Sequence, residues 1–264
     1  MKPPERLGPI MAAVAQRAAE RRRVRSLESL RQDVQLDPAR REQFVGALRQ
    51  PGLSIIAECK RRAPSSGELS QEVDLQERIR SYAAGGADAL SILTEADHFG
   101  GSLEDLSAAP EVEIPRLRKD FLLDEAMLLE AQYAGAKAVL LIAACLDPEQ
   151  LKDLRQIAAG LGLGVLLEVH NRAELAVALP LQPDALGVNA RDLTTFAIDL
   201  AVSEALLPEI PKSCVRVAES GLYELADLQR MQAAGADAVL IGTSLMRSPD
   251  PSQTLRDWKE GLDA

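Results

Sequence analysis

The sequence predicts an α/β protein, a (β/α)8 barrel preceded by a helical extension. Three observations carry this expectation. Apolar runs of strand length alternate with helix-length patterns, eight times in all. A phrase of the form Gly-Ala-x-Ala recurs about every 50 residues, at Gly86, Gly135 and Gly235, with a weaker copy at Pro183-Asp-Ala-Leu-Gly187. Charged residues collect at the C-terminal ends of the apolar runs, the end at which a barrel of this type keeps its chemistry. Each copy of the phrase follows a helical pattern and leads into an apolar run, as a helix C-terminal glycine turning into a buried strand would. Strand candidates also fall between the copies, so each interval holds two units of about 25 residues, near the minimum for a βα repeat.

In chain order, residues 1–50 read as a helical extension packed on the barrel, most clearly over Ser26–Arg49, with Arg21–Arg23 as a solvated helix face. Residues 51–264 form the barrel, the whole chain being one domain with one activity. Strands are expected at 53–59, 88–94, 114–119, 137–143, 163–169, 184–189, 214–218 and 237–242. Helical patterns fill 124–134, 147–160 and 224–234 among the connections. Asp147-Pro148-Glu149 is a helix start, a cap residue followed by proline at the first helical position. The third strand is the awkward one, because Arg116 and Arg118 are polar for a buried strand. An open doubly wound sheet is the competing architecture, but it asks for a glycine-rich turn after the first strand. The loop from Arg61 to Gly67, RRAPSSG, is not such a turn.

Hydrophobic residues make up 47% of the 264, yet aromatics only 3%, so the core must be aliphatic. The net charge of −10 argues against non-specific nucleic-acid binding, and an anionic ligand must be met by a local basic patch. Cys59, Cys145 and Cys214 are widely spaced within or beside apolar runs and read as small buried hydrophobes in a reducing compartment. With only His98 and His170, a histidine-rich metal site is not expected. No apolar stretch approaches the roughly 20 residues of a membrane helix, and the N-terminal segment lacks a leader pattern. The expected protein is soluble and cytoplasmic, without nucleic-acid or membrane partners.

The stretch IIAECKRRAPSSG places Ile56, Glu58 and Lys60 on one face of an extended chain. A carboxylate and an ammonium on the face that an isoleucine buries are costly unless paired or put to chemical use. Further along, the strand ends supply Glu95, Lys119, Glu168, Asn189 and Arg191, and Glu219. By parity Leu117, Lys119 and Phe121 share a face, as do Leu166 and Glu168, Gly187 and Asn189, and Val217 and Glu219. Glu58 and Lys60 thus belong to a ring of charges converging from many strands. Arg191 also has a structural reading, as an ion-pair partner of its neighbour Asp192. After the last two strands come Ala218-Glu-Ser-Gly221 and Ile241-Gly-Thr-Ser244. Small residues at these two positions let the backbone approach a phosphate, the usual phosphate place in this fold.

Together the stretches IIAECKRRAPSSG, LSILTEADHFGGS, LRKDFLLDE, LLEVH, GVNARDLTTF, VAESG and VLIGTSLMR resemble the indole-3-glycerol-phosphate synthase family of tryptophan biosynthesis. They span residues 53–247, nearly the whole barrel, and an N-terminal extension is also a family feature. The resemblance implies a carbon–carbon lyase that decarboxylates and closes 1-(2-carboxyphenylamino)-1-deoxyribulose 5-phosphate to indole-3-glycerol phosphate, carbon dioxide and water, with no cofactor or metal. It implies Lys119 as general acid and Glu168 as its acid–base partner. Lys60 would hold the substrate carboxylate or donate a proton, and Glu58 would pair with Lys60 and the substrate hydroxyls. Asn189 and Arg191 would orient the substrate, and Glu219 would support the lysine network. Phe99, Phe121, Leu140 and Leu240 would hold the aromatic ring. Ser65, Ser220, Gly221, Gly242 and Thr243 would bind phosphate. The ligand is a small phosphosugar–anthranilate, and the protein a monomer or weak homodimer.

One position departs from the family pattern Glu-x-Lys-x-x-Ser-Pro-Ser: Ala63 stands where the first serine is usual. A hydrogen bond to a charged group is worth about 1.5–3 kcal/mol, so Ala63 is expected to weaken phosphate binding unless Ser65, Ser66 or backbone N–H groups compensate. Ala63→Ser should then lower KM, and an unchanged KM would count against this. The loop 61–68, with Gly67 and two serines, is a candidate mobile lid. Two other readings stay open. A phosphoribosylanthranilate isomerase would be a phosphate-binding barrel too, but isomerisation calls for a Cys/Asp-type pair. A non-catalytic phosphosugar-binding barrel would be expected to lack members of the ring, all of which are present.

Overall fold

Apolar runs of period two, each closed by a left-handed turn, build the barrel. The computed structural model describes residues 7–63, 67–68 and 74–263. Three helices, α1 (Gly8–Val24), α2 (Leu27–Asp33) and α3 (Ala39–Ala47), precede the first strand. Strand β1 (Ser54–Cys59) leads into a two-stranded ribbon of β2 (Arg62–Ala63) and β3 (Gly67–Glu68), in which Ala63 pairs with Gly67. The other barrel strands are β4 (Ala89–Leu93), β5 (Arg116–Lys119), β6 (Ala138–Ile142), β7 (Gly164–Val169), β8 (Ala185–Asn189), β9 (Val215–Glu219) and β10 (Ala238–Ile241). They close in the order β1-β10-β9-β8-β7-β6-β5-β4, all parallel. Helices α4 (Leu75–Ala84), α5 (Ala96–Phe99), α6 (Glu125–Tyr133), α7 (Pro148–Gly160), α8 (Arg172–Ala178), α9 (Leu200–Leu206), α10 (Leu225–Ala233), α11 (Thr243–Arg247) and α12 (Pro251–Asp263) connect and flank them.

All eight expected strands are present, each within two residues of its expected start. The repeated phrase has the geometry its glycines imply: Gly86, Gly135 and Gly235 take φ of +84°, +95° and +94°, left-handed turns between helix and strand. The helix starting at Asp147 is capped as expected, with the Asp147 carboxylate accepting the N–H groups of Glu149 and Gln150. The three cysteines are free and buried, and burial pushes each thiol up to about 12.

The two arginines of β5 point out of the barrel, into the layer between strands and helices. Arg116 donates to the carbonyls of Leu106 at 2.6 Å and Ala109 at 2.7 Å. Arg118, only 2% exposed, donates to Thr94 Oγ1, Met127 O and Asp120 Oδ2. Their donors are thereby satisfied, which is what makes such burial tolerable. Parity then turns Lys119 inward.

The extension is helical as expected, though not in one run: Ser26–Arg49 forms two helices, broken over residues 34–38. Pro38 has no N–H to give a helix and disfavours the helical region at Asp37, so α3 begins only after it. The longest helix of the extension is α1, of 17 residues. Nor is Arg21–Arg23 simply a solvated face. Arg21 donates to Glu130 Oε1 at 2.8 Å and Arg22 pairs with Asp124, so two of the three arginines fasten α1 to α6.

Candidate active site

At the C-terminal ends of the strands a cavity opens, with about 1160 Å³ of empty space including its mouth. Its wall contains sixteen of the residues singled out in the sequence: Glu58, Lys60, Glu95, Phe99, Lys119, Phe121, Leu140, Glu168, Asn189, Arg191, Glu219, Ser220, Gly221, Leu240, Gly242 and Thr243. Ser65 lies outside the described residues. Strand parity explains the convergence. Glu58, Lys119, Leu140, Glu168, Asn189, Glu219 and Leu240 come from seven different strands and all face the barrel axis.

The charges are close enough to set one another's state. Lys119 Nζ lies 3.3 Å from Glu168 Oε2 and 3.8 Å from Glu219 Oε2, and Lys60 Nζ lies 2.5 Å from Glu58 Oε1. Burial acts to lower the pKa of Lys119, but the carboxylates of Glu168, Glu219 and Glu58 outweigh it and raise the ammonium above its ordinary value. Burial likewise pushes Glu168 up. Lys119, His170 and a hydrogen bond from Asn189 overcome that and hold it below the usual carboxylate range. Burial and the neighbouring Glu168 charge push Glu219 well above that range, which favours its neutral form. Two adjacent carboxylates with opposite shifts provide one acid and one base.

Two glycines make room for this cluster. A Cβ at Gly187 would overlap Glu219 Oε1, and one at Gly242 would overlap Glu58 Oε1 and come within 2.9 Å of Lys60 Nζ. Gly187→Ala should therefore displace Glu219 rather than unfold the barrel. We expect kcat to fall at least about 10-fold, with a stability loss of about 1–3 kcal/mol, read by turnover and thermal unfolding. Unchanged turnover would mean Glu219 has no need of its present place.

Glu95 has a different task from the rest of the ring. Its fully buried carboxylate caps α5, accepting the N–H groups of Asp97, His98 and Phe99, and pairs with Arg17 of α1 at 2.5 Å. It places Phe99 at the cavity rather than acting on a ligand. Arg191 is not the partner of Asp192. Its Nη1 donates to Phe196 O at 3.2 Å, while Asp192 accepts the N–H groups of Thr194 and Thr195. Ser220 and Gly221 are both left-handed, with φ of +68° and +78°, which turns the chain sharply where the phosphate is expected.

Several cavity residues carry no signal in the sequence. Leu7 and Ile10 reach the wall from the extension, and Phe196 and Tyr223 from loops after β8 and β9. His170 lies behind Glu168, its Nδ1 3.0 Å from Glu174 Oε2 and its Nε2 3.2 Å from Glu168 Oε1. Burial would lower its pKa, but the two carboxylates raise it from 6.5 to about 9. A group raised in the folded state stabilises fully below its unfolded pKa and loses that contribution as pH climbs through the folded one. Stability should then decline by about 3 kcal/mol between pH 6.5 and 9, measurable by urea unfolding at the two ends. A flat profile would contradict the charged imidazole.

The model of the family described as "Indole-3-glycerol phosphate synthase" matches residues 7–258. The chain belongs to the indole-3-glycerol phosphate synthase family. It is 43% identical over 239 residues to the indole-3-glycerol phosphate synthase of Opitutus terrae, covering 85% of this chain and 88% of that one. It is 44% identical over 252 residues to that of a Nocardioides species, covering 95% and 96%. Among solved structures, thiamine phosphate pyrophosphorylase from Pyrococcus furiosus superposes with a TM-score of 0.60 at 15% identity, over 80% of this chain and 96% of that one, a likeness of fold alone. The synthase-family match begins at residue 7, so Leu7 and Ile10 of the cavity wall fall inside it. Among the described residues no group of three or more His, Cys, Asp or Glu side chains is arranged to hold a metal ion, and no helix is long and apolar enough to cross a membrane.

Proposed function

We propose that the cavity closes 1-(2-carboxyphenylamino)-1-deoxyribulose 5-phosphate to indole-3-glycerol phosphate with loss of carbon dioxide and water, the activity for which the family is named. The observation that carries this reading is Lys119 Nζ within 4 Å of both Glu168 and Glu219, a cation beside two carboxyl groups whose surroundings shift them in opposite directions.

The reaction forms a bond from the carboxyl-bearing ring carbon to the substrate ketone carbon, and negative charge grows on the ketone oxygen. Lys119 supplies the proton there. An ammonium with a raised pKa stays protonated at neutral pH and yields its proton only to a strongly basic oxygen, which a developing alkoxide is. Lys60, steadied by Glu58, meets the substrate carboxylate until it leaves as carbon dioxide. Loss of the hydroxyl as water takes a proton from a second acid, Lys60, which is free once carbon dioxide has left, and rearomatisation needs a base. Glu168 takes the ring proton, and Glu219 supports it and the lysine. Asn189 and Arg191 orient the sugar. Phe99, Phe121, Leu140 and Leu240 supply the apolar wall against which the aromatic ring lies, where water is excluded and charges act strongly. Ser220, Gly221, Gly242 and Thr243 receive the phosphate, with small side chains that leave the backbone approachable. The small-molecule ligand is the expected partner, and the compartment is the cytoplasm.

Offering the chain two substrates separates this reading from its neighbour in the pathway. The carboxyphenylamino-deoxyribulose phosphate should be consumed with the appearance of indole fluorescence, and phosphoribosylanthranilate should be left alone. Consumption of phosphoribosylanthranilate alone would replace synthase by isomerase.

A further inference from the structure

The carboxylate of Glu168 is gripped from both sides. One oxygen, Oε2, faces Lys119 and the cavity, and the other, Oε1, faces the His170 ring at 3.2 Å, off the line of a full hydrogen bond. His170 does not reach this place by chance packing. Its side chain is 8% exposed, and its second nitrogen is held by Glu174 Oε2 at 3.0 Å. Glu174 is itself fixed by three further donors or caps: the backbone N–H of His170 at 2.8 Å, the Asn171 amide at 2.7 Å, and its own N–H on Asn171 Oδ1 at 3.0 Å, at the start of α8. The result is a line of groups, Lys119, Glu168, His170 and Glu174, leading from the cavity into the wall.

We propose that His170 is a positioning residue for Glu168: the imidazole holds Oε1 so that Oε2 is presented to Lys119 and the substrate, and its charge keeps that carboxylate ready to accept a proton. This rests on the reading of Glu168 as the acid–base group given above. An ionic partner on the far side of a base fixes its rotamer and its state of charge without touching the substrate. The groups facing the ring bear this out. Glu168 and Glu174 flank it from β7 and α8, and both hold its pKa near 9. Cys145, in the turn after β6, is pushed up to about 12 by burial and by the same two carboxylates, so it brings no charge. Asp192, beyond β8, is held low chiefly by backbone N–H bonds and to a smaller degree by the His170 charge. The charges that act on the ring are thus the carboxylates of Glu168 and Glu174, with Lys119 the cation on the opposite side of Glu168.

The chain has two histidines, so ¹⁵N-histidine labelling of the full protein gives two imidazole signals, assigned with His98→Gln. The proposal expects both nitrogens of His170 protonated at pH 7.5, and a titration at least one pH unit lower in Glu168→Gln. A neutral ring at pH 7.5 overturns it, whatever the variants do. In turnover, His170→Asn should lower kcat by about 10-fold to 10²-fold and change KM less than about 3-fold. The acid limb of its kcat profile should move up by about one pH unit, because an opposite charge has been taken from beside Glu168. A kcat and acid limb equal to the wild type's would overturn the proposal. Glu174→Gln keeps the ring in the wall and should give a smaller shift of the same sign. If the wild type fails to turn over the substrate while the imidazole titrates as expected, the reading of the function falls and the coupling of His170 to Glu168 stands.

Discussion

Lys119→Ala is expected to lower kcat by at least about 10²-fold, with KM changed far less. Two effects act together. The proton donor to the developing alkoxide is gone, and so is the cation beside Glu168 and Glu219. Its charge is the foremost of those that hold the Glu168 carboxyl low, so without it Glu168 should titrate higher and be less free to accept a proton. Stability should also fall, by less than the roughly 3–5 kcal/mol typical of breaking a fully buried pair, because the Lys119 side chain keeps 16% of its exposure. Steady-state kinetics and thermal unfolding of the same preparation separate the two effects. A kcat within a few-fold of wild type would take the acid role from Lys119 and leave Lys60 as the cation to test next.

Glu168→Gln is expected to cost about 10²–10⁴ in kcat while leaving the barrel folded, since the amide fills the same volume. It should also change how its neighbours titrate. Without the Glu168 charge, Lys119 loses the first of the carboxylates that hold it up, and Glu219 loses the repulsion that adds to burial in keeping it protonated. The pH dependence of the residual activity should accordingly lose the limb that reports a carboxylate base. Full activity with an unchanged profile would mean that the base lies elsewhere in the ring.

The barrel was legible because its signals are periodic. Strand-length apolar runs, and a left-handed glycine at each Gly-Ala-x-Ala turn, repeat often enough that no single one has to be right. Most of the ring was legible through parity. Lys119 two residues after Leu117, and Glu168 two after Leu166, can only face the axis if the apolar partner does. What was not legible is what depends on distant segments meeting. Nothing about Leu7 and Ile10 marks them as cavity wall until α1 is fastened to α6 by Arg21 and Arg22. Glu95 reads like its neighbours in the ring, yet its oxygens are spent on a helix cap and on Arg17. The outward arginines of β5 looked like a flaw in the strand, because the carbonyls that receive Arg116 come from a loop that spacing does not place. His170 lies two residues past Glu168 and beyond the strand end, where alternation no longer fixes direction. Only Glu174, four residues on, turns it back.

The stoichiometry of the reaction in the wild-type chain tests the chemistry assigned to the cavity most directly. Carboxyphenylamino-deoxyribulose phosphate labelled in its carboxyl group would be turned over to completion, with labelled carbon dioxide and indole-3-glycerol phosphate measured together. One of each is expected per substrate consumed, with both lost in parallel in Lys119→Ala. Binding of the substrate with neither product formed would make the cavity a phosphosugar-binding site and contradict the chemistry assigned to it.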